Sequence, residues 1–184
     1  MFLYDDDNLI TFSIFFNIIG LAGTDKDATL TQLLNIRRAH PNEAEQLSAL
    51  ALRSKSHWNY DPDFLEACRK ELTMSADFID TSSVYVVEEA GRVAGFYAVR
   101  ICAETGGGIL DFLYVEPESI GLGYGKGLWD HAVETAQKLG LSSFTLDADP
   151  NAEAFYRAMG AEQIGERESP LQPGRMLPVM RYHL

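Results

Sequence analysis

The chain is poor in the residues that build metal centres and covalent frameworks. Its 184 residues include two cysteines, Cys68 and Cys102, both in apolar contexts and without CxxC spacing. That pattern excludes a disulfide scaffold and a thiolate metal site, and fits buried, reduced thiols in a cytoplasmic protein. The four histidines, His40, His57, His131 and His183, are scattered with no HExxH-type spacing, so no metal is expected. Positive charge is also scarce: 15 Lys and Arg against 27 Asp and Glu give a net charge of −12. A nucleic acid partner needs clustered basic residues and is not expected, whereas a cationic substrate is compatible with this balance. No apolar run is long enough for a comfortable membrane span. The longest, "LITFSIFFNIIGLA" over 9–22, comes after "DDD" where a signal peptide would carry positive charge, which argues against both export and insertion.

What is present is an ordinary globular composition, 46% hydrophobic and 23% charged, at a length that suits one domain with a real core. Residues 1–28 do not resemble the rest of the chain and read as an extension of unknown role. An extra strand or helix, a dimer contact and a start codon upstream of the natural one all fit. Residues 29–184 read as a single domain. "LLNIRRAH" suits a strand, and "PNEAEQLSALALRSKSHW" suits a helix with Asn42 as cap, Glu45 as its partner and Leu47, Leu50 and Ala51 as an apolar stripe. Asp61 and Pro62 open a second helix with Phe64, Leu65, Cys68 and Leu72 facing inward.

"SSVYVVEEAGRVAGFYAVRIC" divides at Ala90-Gly91 into two β-branched and aromatic runs, the signature of a hairpin, and "GGGILDFLYVEP" supplies a third antiparallel strand. Behind it, Leu128, Ala132, Ala136 and Leu139 recur at helical spacing up to a C-capping Gly140. A strand "SSFTLDAD", a short helix "NAEAFYRAMG" and strands in "AEQIGERE" and "RMLPVMRYHL" complete the chain. The order is β-α-α-β-β-β-α-β-α-β-β, an α/β (α+β) fold with a mixed central sheet of about six to seven strands.

Between the third of those strands and its helix lies "GLGYGKGLWDHA", with Gly121, Gly123, Gly125 and Gly127 on alternate positions. A strand, a glycine-rich turn and a helix N-terminus together offer unpaired amide N–H groups to a phosphate, and glycines leave room for its approach. A glycine-rich connection without a ligand fits the pattern equally well. The position, two-thirds along the chain and behind antiparallel strands, argues against a dinucleotide-binding Rossmann site.

"YVEPESIGLGYGKGLWDHA" resembles the acetyl-CoA-binding motif of the GNAT superfamily of N-acetyltransferases, a strand ending V-x-P followed by (Q/R)-x-x-G-x-(G/A). "DPNAEAFYRAMGAEQIGE" resembles that family's later motif. The element order agrees, and the resemblance covers about residues 33–184. It implies a GNAT acyl-CoA N-acyltransferase fold that takes acetyl-CoA as cosubstrate and moves its acetyl group directly to a primary amine, on a small molecule or a peptide N-terminus.

Carried over to this chain, the resemblance gives Leu113 and Val115 to the pantetheine arm, as if that arm were an added strand, and gives Leu113 N–H also to the oxyanion. The loop of Gly121, Leu122, Gly123, Tyr124, Gly125 and Lys126 would hold the pyrophosphate. Tyr156 would protonate the departing thiolate, and Asn151 would bond the pantetheine or cap its own helix. One position departs from the family pattern: Ile120 stands where Gln or Arg is usual, which removes a polar contact to the coenzyme.

Asp111, four residues before Val115, is the first choice for the base that deprotonates the acceptor, with Glu104 and Glu116 behind it. "SKSHWNYD" resembles an "SKxHWxY" pattern of some uncharacterised bacterial members, and would bring His57, Trp58 and Tyr60 to the acceptor side. Arg175, in the connection before the closing strand, either reaches an acceptor carboxylate or is simply solvated. A non-catalytic acyl-CoA sensor and a protein working only through protein contacts are the alternatives. A homodimer is expected from the apolar N-terminal segment and a strand at the C-terminal edge.

Overall fold

The computed structural model describes residues 34–184, so the expectations for residues 1–28, the apolar run over 9–22 among them, lie outside the described residues. Seven strands form one mixed sheet: β1 (Asn35–Arg38), β2 (Ser83–Glu89), β3 (Arg92–Ile101), β4 (Gly108–Val115), β5 (Ser143–Asp147), β6 (Glu162–Glu168) and β7 (Met176–His183), in the order β1-β2-β3-β4-β5-β7-β6. All pairs are antiparallel except β4 with β5. Five helices are described: α1 (Ala44–Ser56), α2 (Pro62–Glu71), α3 (Ala76–Thr81), α4 (Tyr124–Lys138) and α5 (Glu153–Ala158).

Strand β3 explains why the sheet has helices on both faces. Its residues are buried almost without interruption from Val93 to Val99, so it has no solvent side. Phe96 and Ala98 belong to a core with Leu47, Leu50, Cys68 and Ile79 on the α1–α3 face. Tyr97 and Val99 belong to a second core with Leu128, Trp129, Ala132 and Phe144 on the α4 face. The buried Tyr97 hydroxyl sits 2.7 Å from both His131 Nδ1 and Thr135 Oγ1, which satisfies it inside the core.

Several local expectations hold. Ala90 (φ 49°) and Gly91 (φ 77°) make the tight β2–β3 turn, and Asp61 caps α2 by accepting from Asp63 N–H at 2.9 Å. Gly140 (φ 76°) stands just past α4, with Leu141 N–H reaching back to the Ala136 carbonyl at 3.1 Å.

Others are corrected. Asn42 does not cap α1: it lies inside a 3₁₀ turn, Pro41–Glu43, and Glu43 accepts the His40 backbone N–H at 2.7 Å, so α1 begins two residues later. Pro41 followed by the turn former Asn42 favours the tighter entry. Helix α3 carries no sequence signal of its own, because six residues are too short to show periodicity; Ser75 caps it, accepting from Phe78 N–H at 3.0 Å. Leu139 is exposed, and Trp129, at 2% exposure, takes the larger share of the α4 core. Cys102 is only half-buried, on the β3–β4 connection, while Cys68 is buried; both are free. The closing strand β7 runs inside the sheet, and the edge belongs to β6, whose Glu162, Glu166, Arg167 and Glu168 blunt it against further pairing.

Candidate active site

The site exists because two parallel strands meet and then part. β4 and β5 are paired at Gly108–Phe144 and Ile109–Thr145 only, although β4 continues to Val115 and β5 to Asp147. Gly108 allows the close meeting: a Cβ there would fall 2.7 Å from Phe144 Cβ and 2.9 Å from the Ser143 carbonyl. Beyond Ile109 the strands diverge and leave a cavity of about 480 Å³. Asp111 is the extra residue of a β-bulge, since Ala98 faces Phe112 while Val99 faces Leu110. Bulges bend a strand and re-aim its side chains, and this one brings Asp111 into the cavity wall.

One end of the cavity is the glycine loop. Gly121 (φ 84°) and Gly123 (φ 91°) are left-handed, and Gly123 is the N-cap of α4 with no side-chain cap and no acidic residue in the first turn. The first helical bond runs from Gly127 N–H to the Gly123 carbonyl at 3.0 Å, which leaves the Tyr124 and Gly125 N–H groups ahead of the helical ladder. A Cβ on Gly125 would stand 3.5 Å from the Phe155 ring and 3.9 Å from Val115, within the cleft itself. Lys126 lines the same end, with Nζ 2.9 Å from Asp130 one turn on. Ile120 and Leu122 are 38% and 60% exposed beside the loop.

The floor is α5. Tyr156 is 8% exposed and packs on Trp129 (5.7 Å) and Phe155 (5.2 Å), and it faces the cavity alongside Leu113, Tyr114 and Val115. Burial pushes its phenol well above the usual tyrosine range, with the Asp149 charge acting in the same direction, so the group stays protonated. Tyr114 is shifted the same way, chiefly by burial.

A polar cluster at the cavity is built on Asp149, which opens the stretch "DPNAEAFYRAMG" but is given no role by the sequence reading. Its carboxylate accepts from Tyr60 Oη at 2.6 Å, Lys55 Nζ at 2.7 Å, Asn151 N–H at 2.9 Å and Arg175 Nη2 at 3.2 Å. Burial alone would raise its pKa, but the hydrogen bonds from Lys55 and Tyr60 outweigh that and hold it below the usual carboxylate value. Tyr60 Oη accepts in turn from Asn151 Nδ2 (2.6 Å) and Arg175 Nη2 (2.7 Å). The Arg175 guanidinium lies over the Tyr60 and Phe64 rings at 4.7 and 4.8 Å. Asp149, and not Asn151, therefore caps the turn before α5; the Asn151 side chain donates to Tyr60 and lines the cavity. The cluster fastens together the α1–α2 connection, the β5–α5 connection and the β6–β7 connection.

Of the remaining expected residues, Trp58 lines the cavity at 41% exposure, while His57 lies outside the lining with its ring edge-on to Trp58 at 5.2 Å. Asp111 is bonded by Arg100 Nε at 2.7 Å, and burial outweighs that partner to raise its pKa. Glu116 is engaged by Arg53, and Glu104 lies on the exposed β3–β4 connection. Lys55 and Asp149 could have been found only through Tyr60 and Arg175, whose hydrogen bonding demands partners once both are half-buried.

A family model described as the acetyltransferase (GNAT) family matches residues 45–161. The chain belongs to the GNAT acetyltransferase family. The matched span holds the parted β4–β5 pair, the glycine loop and Tyr156. The chain is 32% identical over 139 residues to the peptidyl-lysine N-acetyltransferase YjaB of Salmonella typhimurium, spanning 74% of this chain and 88% of the relative. It is 28% identical over 134 residues to a 5-NmdU N-acetyltransferase of Pseudomonas phage PaMx11, at 73% and 91% coverage. Among solved structures, a GCN5-related N-acetyltransferase of Rhodopseudomonas palustris superposes with a TM-score of 0.70 at 21% identity, covering 82% of this chain and 96% of the other. The PaiA N-acetyltransferase of Thermoplasma acidophilum, in complex with coenzyme A, gives 0.68 at 19% identity, with 82% and 99% covered. The α/β architecture of this chain is thus that of GNAT N-acetyltransferases. No group of three His, Cys, Asp or Glu arranged for a metal occurs among the described residues, nor does any helix long and apolar enough to cross a membrane.

Proposed function

We propose that the protein moves an acetyl group from acetyl-CoA to a primary amine by direct transfer, in the cytoplasm. The observation that carries this reading is the parted β4–β5 wedge, with a left-handed glycine loop at one end and the Tyr156 phenol at its floor. The coenzyme supplies the activated acyl thioester. The residues around it fit such a group: β4 beyond Ile109 has no β5 partner to pair with, the Tyr124 and Gly125 N–H groups lie ahead of the α4 ladder, and a Cβ at Gly125 would project into the cleft.

Leu113 and Val115 hold the extended arm, and Leu113 N–H meets the carbonyl oxygen as negative charge develops on it. Gly121, Leu122, Gly123 and Lys126 complete the phosphate seat. The acceptor ammonium must lose a proton before its nitrogen can form the new bond to the acetyl carbon. Asp111, raised by burial toward the range of a useful base, takes that proton directly or through water. As the carbon–sulfur bond breaks, Tyr156 gives its phenolic proton to the sulfur and is reprotonated by the second proton that the amine nitrogen sheds as the amide forms, a role that suits a phenol kept protonated by burial. Trp58 walls the acceptor entrance. Thiol release from acetyl-CoA in the presence of amines tests the reading. Turnover that falls sharply in Tyr156→Phe supports it; coenzyme binding with no turnover for any amine favours a sensor.

A further inference from the structure

We infer that the acceptor carries a carboxylate as well as its amine, and that Lys55 receives that carboxylate while Arg175, behind Asp149, contributes its charge. The inference rests on the acetyltransferase reading and deepens it. It comes from counting donors and acceptors in the cluster around Asp149. The carboxylate of Asp149 has about four lone-pair positions, and four donors occupy them: Lys55, Arg175, Tyr60 and the Asn151 amide. Tyr60 Oη donates once and accepts twice, so it is complete as well. Every acceptor of Asp149 and Tyr60 is used, and Asp149 is unavailable to an incoming ammonium.

The donors are in surplus. Of three ammonium hydrogens on Lys55, one is engaged in the cluster. Arg175 uses Nη2 alone, and its Nε is buried with no hydrogen-bond partner among the described residues. Two cations face one anion, so the cluster holds one uncompensated positive charge, with side-chain exposures of 14% for Lys55 and 15% for Arg175. A half-buried site with spare N–H groups, a spare positive charge and saturated acceptors is complementary to an anion that only accepts. Lys55 lines the cavity together with Trp58 and Asp149, whereas Arg175 lies outside the lining and is bonded to Asp149 and Tyr60. A carboxylate beside Lys55 completes the charge balance. An extended cationic peptide finds repulsion at this position.

The experiment compares matched pairs of amines with acetyl-CoA: α-amino acids and amino dicarboxylates against the same compounds as carboxamides. The carboxylate member is expected to have the higher kcat/KM by about tenfold to a hundredfold, the usual weight of a charge-assisted hydrogen bond. Lys55→Met is expected to collapse that ratio toward one, and Lys55→Arg, which keeps the charge beside Asp149, to retain most of it. Acceptor binding is also read without turnover, by ligand-observed NMR of each pair with coenzyme A present. A binding preference for the carboxylate without turnover would leave this inference standing and overturn the catalytic reading alone. Equal or better use and binding of the carboxamides, or a ratio unmoved by Lys55→Met, would overturn it.

Discussion

Replacing Asp149 by Asn changes one atom in size and removes the counter-charge shared by two half-buried cations. In the native cluster Lys55, Asp149 and Arg175 are 14%, 14% and 15% exposed, and four donors converge on the carboxylate. The amide retains a single acceptor oxygen and turns two new donors toward groups that are themselves donors. Breaking a buried ion pair from one side costs about 3–5 kcal/mol, and the residual exposure places this case near 3. For a domain of this size that is a fall of roughly 6–12 °C in the midpoint of thermal unfolding. The pH dependence gives a second check. Asp149 is depressed in the fold, so its contribution is fully present above the ordinary carboxylate value of 3.8 and is lost as pH falls through its lower folded value. The difference between native and Asp149→Asn should therefore be constant from pH 7 to 5 and shrink below about pH 3.8. Adding Lys55→Met to Asp149→Asn should recover part of the loss, because one stranded cation disappears. A fall under 2 °C, or strict additivity of the two substitutions, would refute the buried-cluster reasoning.

Tyr156→Phe keeps the ring packing on Trp129 and Phe155 and should leave the unfolding midpoint within about 2 °C, while kcat falls about 10²-fold or more, as expected for loss of a general acid. Gly123→Val forces a β-branched residue to φ 91° at the head of α4; it should destabilise by about 1–2 kcal/mol in urea titration and abolish coenzyme-induced stabilisation. Arg100→Leu removes the cation that opposes the raised pKa of Asp111, so the acidic limb of the kcat/KM profile should move to higher pH; a limb that stays in place would exclude Asp111 as the base.

Most of the fold is legible in the sequence because its signals are local. The Ala90-Gly91 turn, the Asp61-Pro62 helix start and the apolar spacing of α4 each depend on a few neighbouring residues, and each appears in the structure. The glycine loop and Tyr156 are legible for a different reason: two motifs in the right order resemble one family. The errors share a physical cause. Asn42 looks like a cap because its composition is right, but Pro41 sets a tighter turn whose partner is Glu43. Helix α3 falls below the length at which periodicity shows. The β7–β6 exchange at the sheet edge depends on long-range pairing. Asp149 is silent in the sequence because its meaning comes from Lys55, Tyr60 and Arg175, which lie 94, 89 and 26 residues away. Locally, Asp149-Pro150 signals only the start of a turn, as Asp61-Pro62 does, and not the cations that the carboxylate gathers.

The claim at the centre of this account is that the β4–β5 wedge seats acetyl-CoA. Thermal unfolding with and without the coenzyme tests it most directly, because a ligand that binds only the native state must raise the midpoint by mass action. At a hundredfold excess over the dissociation constant the gain is about 2.7 kcal/mol, roughly 5–11 °C for a domain of this length. Such a rise is expected for the native protein, and its loss in Gly123→Val. A midpoint unchanged by millimolar acetyl-CoA, in a protein that unfolds cooperatively, would contradict it.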